Sequence, residues 1–131
     1  MEKQTLLSIE NLSVTFGSGA RAFRAVDGVS LKVNAGEVLA VVGESGSGKS
    51  VSMMALMGLL PDSAAITADK LEFDGQNLQT LSARDKRKII GKDISMIFQD
   101  AMTSLTPSFT VQMQIGAVLK THLGLRGAAV K

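Results

Sequence analysis

The sequence predicts an α/β fold, and three adjacent observations carry the prediction. Val38-Leu39-Ala40-Val41-Val42 is an unbroken apolar run of the kind that forms a strand buried on both faces. Gly43-Glu44-Ser45-Gly46-Ser47-Gly48-Lys49-Ser50 follows as a glycine-rich loop, and VSMMALMGLL behind it is apolar and helix-compatible. Glycines at these fixed positions let successive main-chain N–H groups converge on phosphate oxygens, while the helix presents its positive N-terminal end to the same charge. Lys49 then reaches the β- and γ-phosphates and Ser50 offers a hydroxyl to Mg²⁺, so the implied ligand is a nucleoside triphosphate. A plain glycine-rich turn would lack the flanking strand and helix.

The elements around the loop can be read in order. Leu6 to Phe16 carries branched and aromatic residues at strand spacing, and Gly17-Ser18-Gly19 breaks it. Val29 to Val33 alternates apolar and polar residues, and Asn34-Ala35-Gly36 turns the chain into the run at Val38. The helix from Lys49 is expected to end near Leu60, because Pro61 disfavours helical geometry in the residue before it. Lys70 to Phe73 predicts a short strand closed by Asp74-Gly75. Ser82 is placed to cap a charged helix through Ile90, with Asp85 at the third helical position. Ile94 to Phe98 predicts a second buried strand, ending at Gln99-Asp100, where ligands gather in open α/β sheets. Thr103 to Pro107 reads as loop, and Thr110 is placed to cap a helix whose Val111, Ile115, Val118 and Leu119 share one face.

Composition bounds the rest. The chain has 131 residues, about one domain, and its 14 basic and 12 acidic residues leave a net charge of +2. That charge is too small to argue for nucleic acid or an anionic membrane surface. No run approaches the roughly 18 apolar residues of a membrane-spanning helix, and Met1 to Thr5 lacks the plan of a signal peptide, so a cytoplasmic location is expected. The absence of cysteine removes disulfides and thiolate metal sites from these residues. Met53, Met54 and Met57 sit at helical spacing and read as core filling, and His122 reads as a solvated histidine near a helix end.

Taken together these pieces resemble an ATP-binding cassette ATPase. Besides the phosphate loop, the resemblance rests on Ala25-Val26-Asp27-Gly28-Val29-Ser30, the Ala35-Gly36-Glu37 turn, and Ser95 to Asp100 followed by Met102-Thr103-Ser104-Leu105. The wording is similar to the dipeptide and oligopeptide importer branch. The resemblance implies a phosphate-loop NTPase of that type, here incomplete. Residues 1–36 would be an N-terminal β subdomain, 37–100 the core up to the glutamine loop, and 101–131 the start of a helical subdomain. Mg-ATP would be held by Gly43, Glu44, Ser45, Gly46, Ser47, Gly48, Lys49, Ser50 and Val51. Ser50 and Gln99 would attend the metal, with Gln99 sensing the γ-phosphate. Phe16 matches the aromatic residue that stacks on adenine better than Phe23 does, with ordinary packing of Phe16 as the alternative.

The implied partners are transmembrane permease subunits, a second ATPase subunit and, indirectly, a periplasmic or extracellular binding protein, with no nucleic acid. The chain would then sit at the cytoplasmic face of the membrane. The departures are Val51, where many cassette ATPases carry a hydroxyl residue, Ala101 where the branch usually has proline, and Thr106 where it usually has asparagine. The LSGGQ-type signature, an apolar strand ending in Asp-Glu and a switch histidine do not occur. The resemblance thus implies the N-terminal part of a longer ATPase that lacks hydrolysis by itself. Two later strands would separate the phosphate-loop strand from the one carrying Gln99. The alternatives are a nucleotide-binding fragment without turnover, an importer ATPase for nickel or glutathione, and a non-transport phosphate-loop protein.

Overall fold

The computed structural model describes residues 4–100, 104–125 and 127–130. The chain divides into two compact units, Met1–Leu81 and Ser82–Lys131. The first contains all five described strands, β1 (Thr5–Phe16), β2 (Phe23–Asn34), β3 (Ala64–Thr67), β4 (Lys70–Phe73) and β5 (Gln76–Asn77), together with helix α1 (Lys49–Met57). The second carries α2 (Ala83–Ile89) and α3 (Val111–Leu123). The α/β expectation is met.

β1 organises the first unit. It pairs with β2 along its length on one side, and on the other with β4 through Leu7 to Glu10 and β3 through Ser13 to Phe16, all antiparallel. Strict alternation from Ile9 would turn Asn11 inward. Instead Asn11 takes a left-handed conformation (φ 53°) and the register slips between Ile9 and Leu12, so one extra residue is accommodated. The bulge is fastened by the Asn11 main-chain N–H donating to Ser30 Oγ at 2.9 Å and by the Asn11 side chain donating to Asp69. Ile9, Leu12 and Val14 thereby all face the core, where Val26, Leu71 and Leu78 join them. On that core lie Ser52, Ala55, Leu56 and Met57 of α1, so Met57 fills the core as expected while Met53 and Met54 are half-buried.

α1 ends three positions before Leu60. Gly58 adopts a left-handed conformation (φ 65°), its N–H donating to Ala55 O at 3.2 Å and the Leu59 N–H to Met54 O at 2.9 Å. This glycine termination releases the chain before Pro61 can act. β4 lies where expected, and the Asp74-Gly75 turn, positive in φ at both residues, folds β5 back upon it.

The two apolar runs differ from expectation. Val38 to Val42 joins no ladder, and Val38 and Val42 are 96% and 91% exposed. In the second unit, Ile94 makes a single parallel bridge with Ile90, and Ile97 is 98% exposed. Neither is a buried strand here, because a strand is completed by neighbours on each side and no described residue supplies them.

In the second unit the two caps form as read. Ser82 Oγ accepts from the Asp85 N–H at 3.2 Å, and Thr110 Oγ1 accepts from the Met113 N–H at 3.2 Å. Gln114 ties the preceding loop to α3, its side chain accepting from the Thr106 N–H at 2.8 Å and donating to Phe109 O at 3.0 Å. Val111, Ile115 and Val118, expected on one face, are each more than half exposed. His122 is half-buried rather than solvated, because its ring covers Gly91, where an added Cβ would fall 2.8 Å from Nε2. Ala101, and with it Met102 and Thr103, lies outside the described residues. Among the described residues no helix is long and apolar enough to cross a membrane.

Asp85 gives this unit a pH dependence. Lys88 Nζ donates to its Oδ1 at 2.7 Å and the Ser82 hydroxyl to its Oδ2 at 2.7 Å. The Lys88 bond first, and the Ser82 bond after it, hold the carboxyl below the usual carboxylate range. With the folded value below the unfolded one, the support for the start of α2 is fully present above the unfolded value. It is lost as pH falls through the folded one. A carbon-detected NMR titration of Asp85 is expected to show this lowered midpoint, and Lys88→Ala to raise it. An unmoved midpoint in Lys88→Ala would exclude Lys88 as the cause.

Candidate nucleotide-binding site

The loop of residues 43–50 leads into the first turn of α1, and its glycines have separate tasks. Gly46 (φ 82°) and Gly48 (φ 89°) adopt left-handed conformations that side-chain-bearing residues rarely take. Gly48 is also a contact: a Cβ there would fall 2.8 Å from Ala25 O and 3.3 Å from Val26 Cγ2. Because Val26 belongs to the core through its pairing with Val14, β2 fixes where the loop ends and α1 begins. Ser47 N–H donates to Glu44 O at 3.2 Å, closing the turn.

Lys49 curls back over this turn. Its Nζ donates to Gly43 O at 2.6 Å, Glu44 O at 2.7 Å and Ser47 Oγ at 3.0 Å. Gly48, as the N-cap, offers no side chain, and the first turn of α1 contains no acidic residue. Among the described residues nothing accepts from the main-chain N–H groups of Gly46, Gly48, Lys49, Ser50 or Val51. An ammonium and a set of uncommitted N–H donors at a helix start make an anion site by elementary electrostatics. A cavity of about 240 Å³ adjoins it, lined by Gly43, Ser47 and Lys49 together with the apolar Val29, Leu31 and Met53.

The structure thus sets the end of the loop, at Gly48, against Ala25 and Val26, a contact with no signal in the local sequence. Phe16 ends β1, half-buried, with Phe23 beside it on β2 and Ala64 on β3. Phe23 is the more open ring, 66% exposed. Gln99 is exposed and lies in the second unit, following the unpaired run from Ser95 to Phe98. Among the described residues no group of three His, Cys, Asp or Glu side chains could hold a metal. The loop offers hydroxyl oxygens, the exposed one of Ser50 at the helix start among them, and such oxygens fit Mg²⁺, which takes few protein ligands when phosphates supply the others.

A glycine loop closed by its own lysine at the start of a helix defines the phosphate-loop class of nucleotide-binding proteins. Residues 26–128 match the family described as ABC transporter, and the chain belongs to that family. It is 51% identical over 119 residues to the dipeptide transport ATP-binding protein DppD of Escherichia coli (strain K12), covering 91% of this chain and 36% of that protein. The DppD protein of Haemophilus influenzae is 52% identical over 119 residues, again 91% of this chain and 36% of the relative. The peptidoglycan transport ATP-binding protein YejF of Agrobacterium fabrum is 47% identical over 129 residues, 98% of this chain and 24% of that protein. The chain therefore spans about a third or less of the length of these relatives.

Proposed function

We propose that these residues form the Mg-ATP-binding part of the energy-coupling ATPase of an importer for dipeptides or oligopeptides. The Lys49 ammonium, set by three acceptors over a loop whose N–H donors are uncommitted, is the observation that carries the reading. Phosphate oxygens would take the uncommitted N–H groups of Gly46, Gly48, Lys49, Ser50 and Val51 and the Lys49 charge, within the loop of residues 43–51. Ser50 would ligate Mg²⁺, which when bound neutralises developing charge on the β- and γ-phosphates. Gln99 would attend the metal and γ-phosphate, and Phe16 the adenine. The cargo class follows the relatives' names, and the division into 1–36, 37–100 and 101–131 follows the family's organisation.

In this reading hydrolysis belongs to the assembled ATPase, where water attacks the γ-phosphate in line, and the 131 residues bind without turnover because they contain no Asp-Glu strand end to supply a base. Transmembrane permease subunits and a second ATPase subunit would be the partners, at the cytoplasmic face of the membrane. Titration calorimetry is the test. Mg-ATP and inorganic triphosphate are expected to compete for one site, adenosine to bind far more weakly, and phosphate release to stay at background. Adenosine binding as well as ATP would remove the phosphate loop from the account.

A further inference from the structure

We propose that Ser47 is the positioning residue for the Lys49 ammonium, its hydroxyl holding the charge at the loop's mouth. The inference rests on the nucleotide-binding reading and adds a role for a side chain to a residue otherwise engaged through its main chain. An ammonium has three donors, and all three are used here, by Gly43 O, Glu44 O and Ser47 Oγ. The two carbonyls belong to the beginning of the loop and the hydroxyl to its end. The hydroxyl is thus the one of the three acceptors that holds the ammonium from the helix end of the loop.

The hydroxyl is itself fixed. A Cβ built on Gly43 would fall 2.8 Å from Ser47 Oγ and 3.5 Å from Ser47 Cβ, so the serine occupies space that exists because residue 43 is glycine. The Ser47 N–H donating to Glu44 O at 3.2 Å closes the turn that carries Oγ toward Nζ. Because Oγ accepts from Lys49, its own O–H proton remains available to an anion above the loop. Gly43, Ser47 and Lys49 thus act as one device: the missing side chain admits the hydroxyl, and the hydroxyl aims the cation.

The test is a double-mutant cycle on Mg-ATP affinity with the chain as it stands, its far-UV circular dichroism checked for each variant. Ser47→Ala is expected to weaken binding roughly tenfold when Lys49 is present and to change it little in a Lys49→Met background. An equal loss in both backgrounds overturns the positioning role, since the hydroxyl would then act on the phosphate or on loop shape without the lysine. A second readout needs no nucleotide. The Lys49 side-chain ¹⁵N–H resonance is expected in slow exchange in the parent and lost in Ser47→Ala, and an unchanged resonance also overturns the role. Absence of Mg-ATP binding to the parent chain would instead defeat the nucleotide reading, leaving the NMR comparison to decide on Ser47.

Discussion

Lys49→Met is expected to lower Mg-ATP affinity by roughly 100-fold while leaving the first unit folded. The substitution keeps a long apolar stem and deletes the charge that three loop acceptors hold in place. Charge-assisted hydrogen bonds to phosphate contribute more than neutral ones, and no other cation touches the loop among the hydrogen bonds of the described residues. The loop atoms that lose their donor are open to water, so their desolvation penalty is small and unfolding should shift by less than about 1 kcal/mol. Calorimetry with Mg-ATP, beside urea unfolding followed by circular dichroism, separates the two effects. Unchanged affinity in a folded Lys49→Met chain would falsify the phosphate-binding assignment. A collapse in stability would show that the lysine is mainly a structural clasp.

Legibility in this sequence follows locality. The loop is contiguous, and Ser82 and Thr110 cap the next turn of chain, so their chemistry can be read within a few residues. The stop at Gly58 was equally local, a glycine just past the last apolar helical residues, but Pro61 was the stronger-looking signal and displaced the boundary. β5 could have been read from Asp74-Gly75, which is the strongest short hairpin signal available. β3 offered little, since Ala64 and Ala65 have weak strand preference, and β2 begins at Phe23, ahead of the alternation that announces it.

What locality cannot supply is a partner distant in sequence. Val38 to Val42 and Ile94 to Phe98 have the composition of buried strands, and composition specifies the cover a segment needs without supplying it. Both runs stay exposed among the described residues, Val38 and Val42 at 96% and 91% and Ile97 at 98%. The bulge at Asn11 is the same lesson at smaller scale. One residue in a left-handed conformation moves Leu12 and Val14 to the core face, although the period from Ile9 would place them outward.

Gly48→Ala should be the most destabilising single change at the loop, and Gly46→Ala provides the comparison that explains why. Both glycines have φ above 80°, so an alanine at either meets the left-handed penalty of about 1–2 kcal/mol. At Gly46 nothing lies within 4 Å of the added carbon, and the penalty is expected alone. At Gly48 the carbon would stand 2.8 Å from the Ala25 carbonyl oxygen, a main-chain atom of β2, and 3.3 Å from the buried Val26 side chain. Neither can yield without moving the β1–β2 pairing, which adds about 1–3 kcal/mol of overpacking. The same displacement would shift the start of α1, so Mg-ATP affinity should fall with stability at position 48 and much less at position 46. The chain has no tryptophan or tyrosine, which makes far-UV circular dichroism in urea the suitable measurement. Equal unfolding midpoints for the two variants would mean that the contact between the loop and Ala25 contributes nothing, and β2 would lose its place as the support on which the phosphate loop is set.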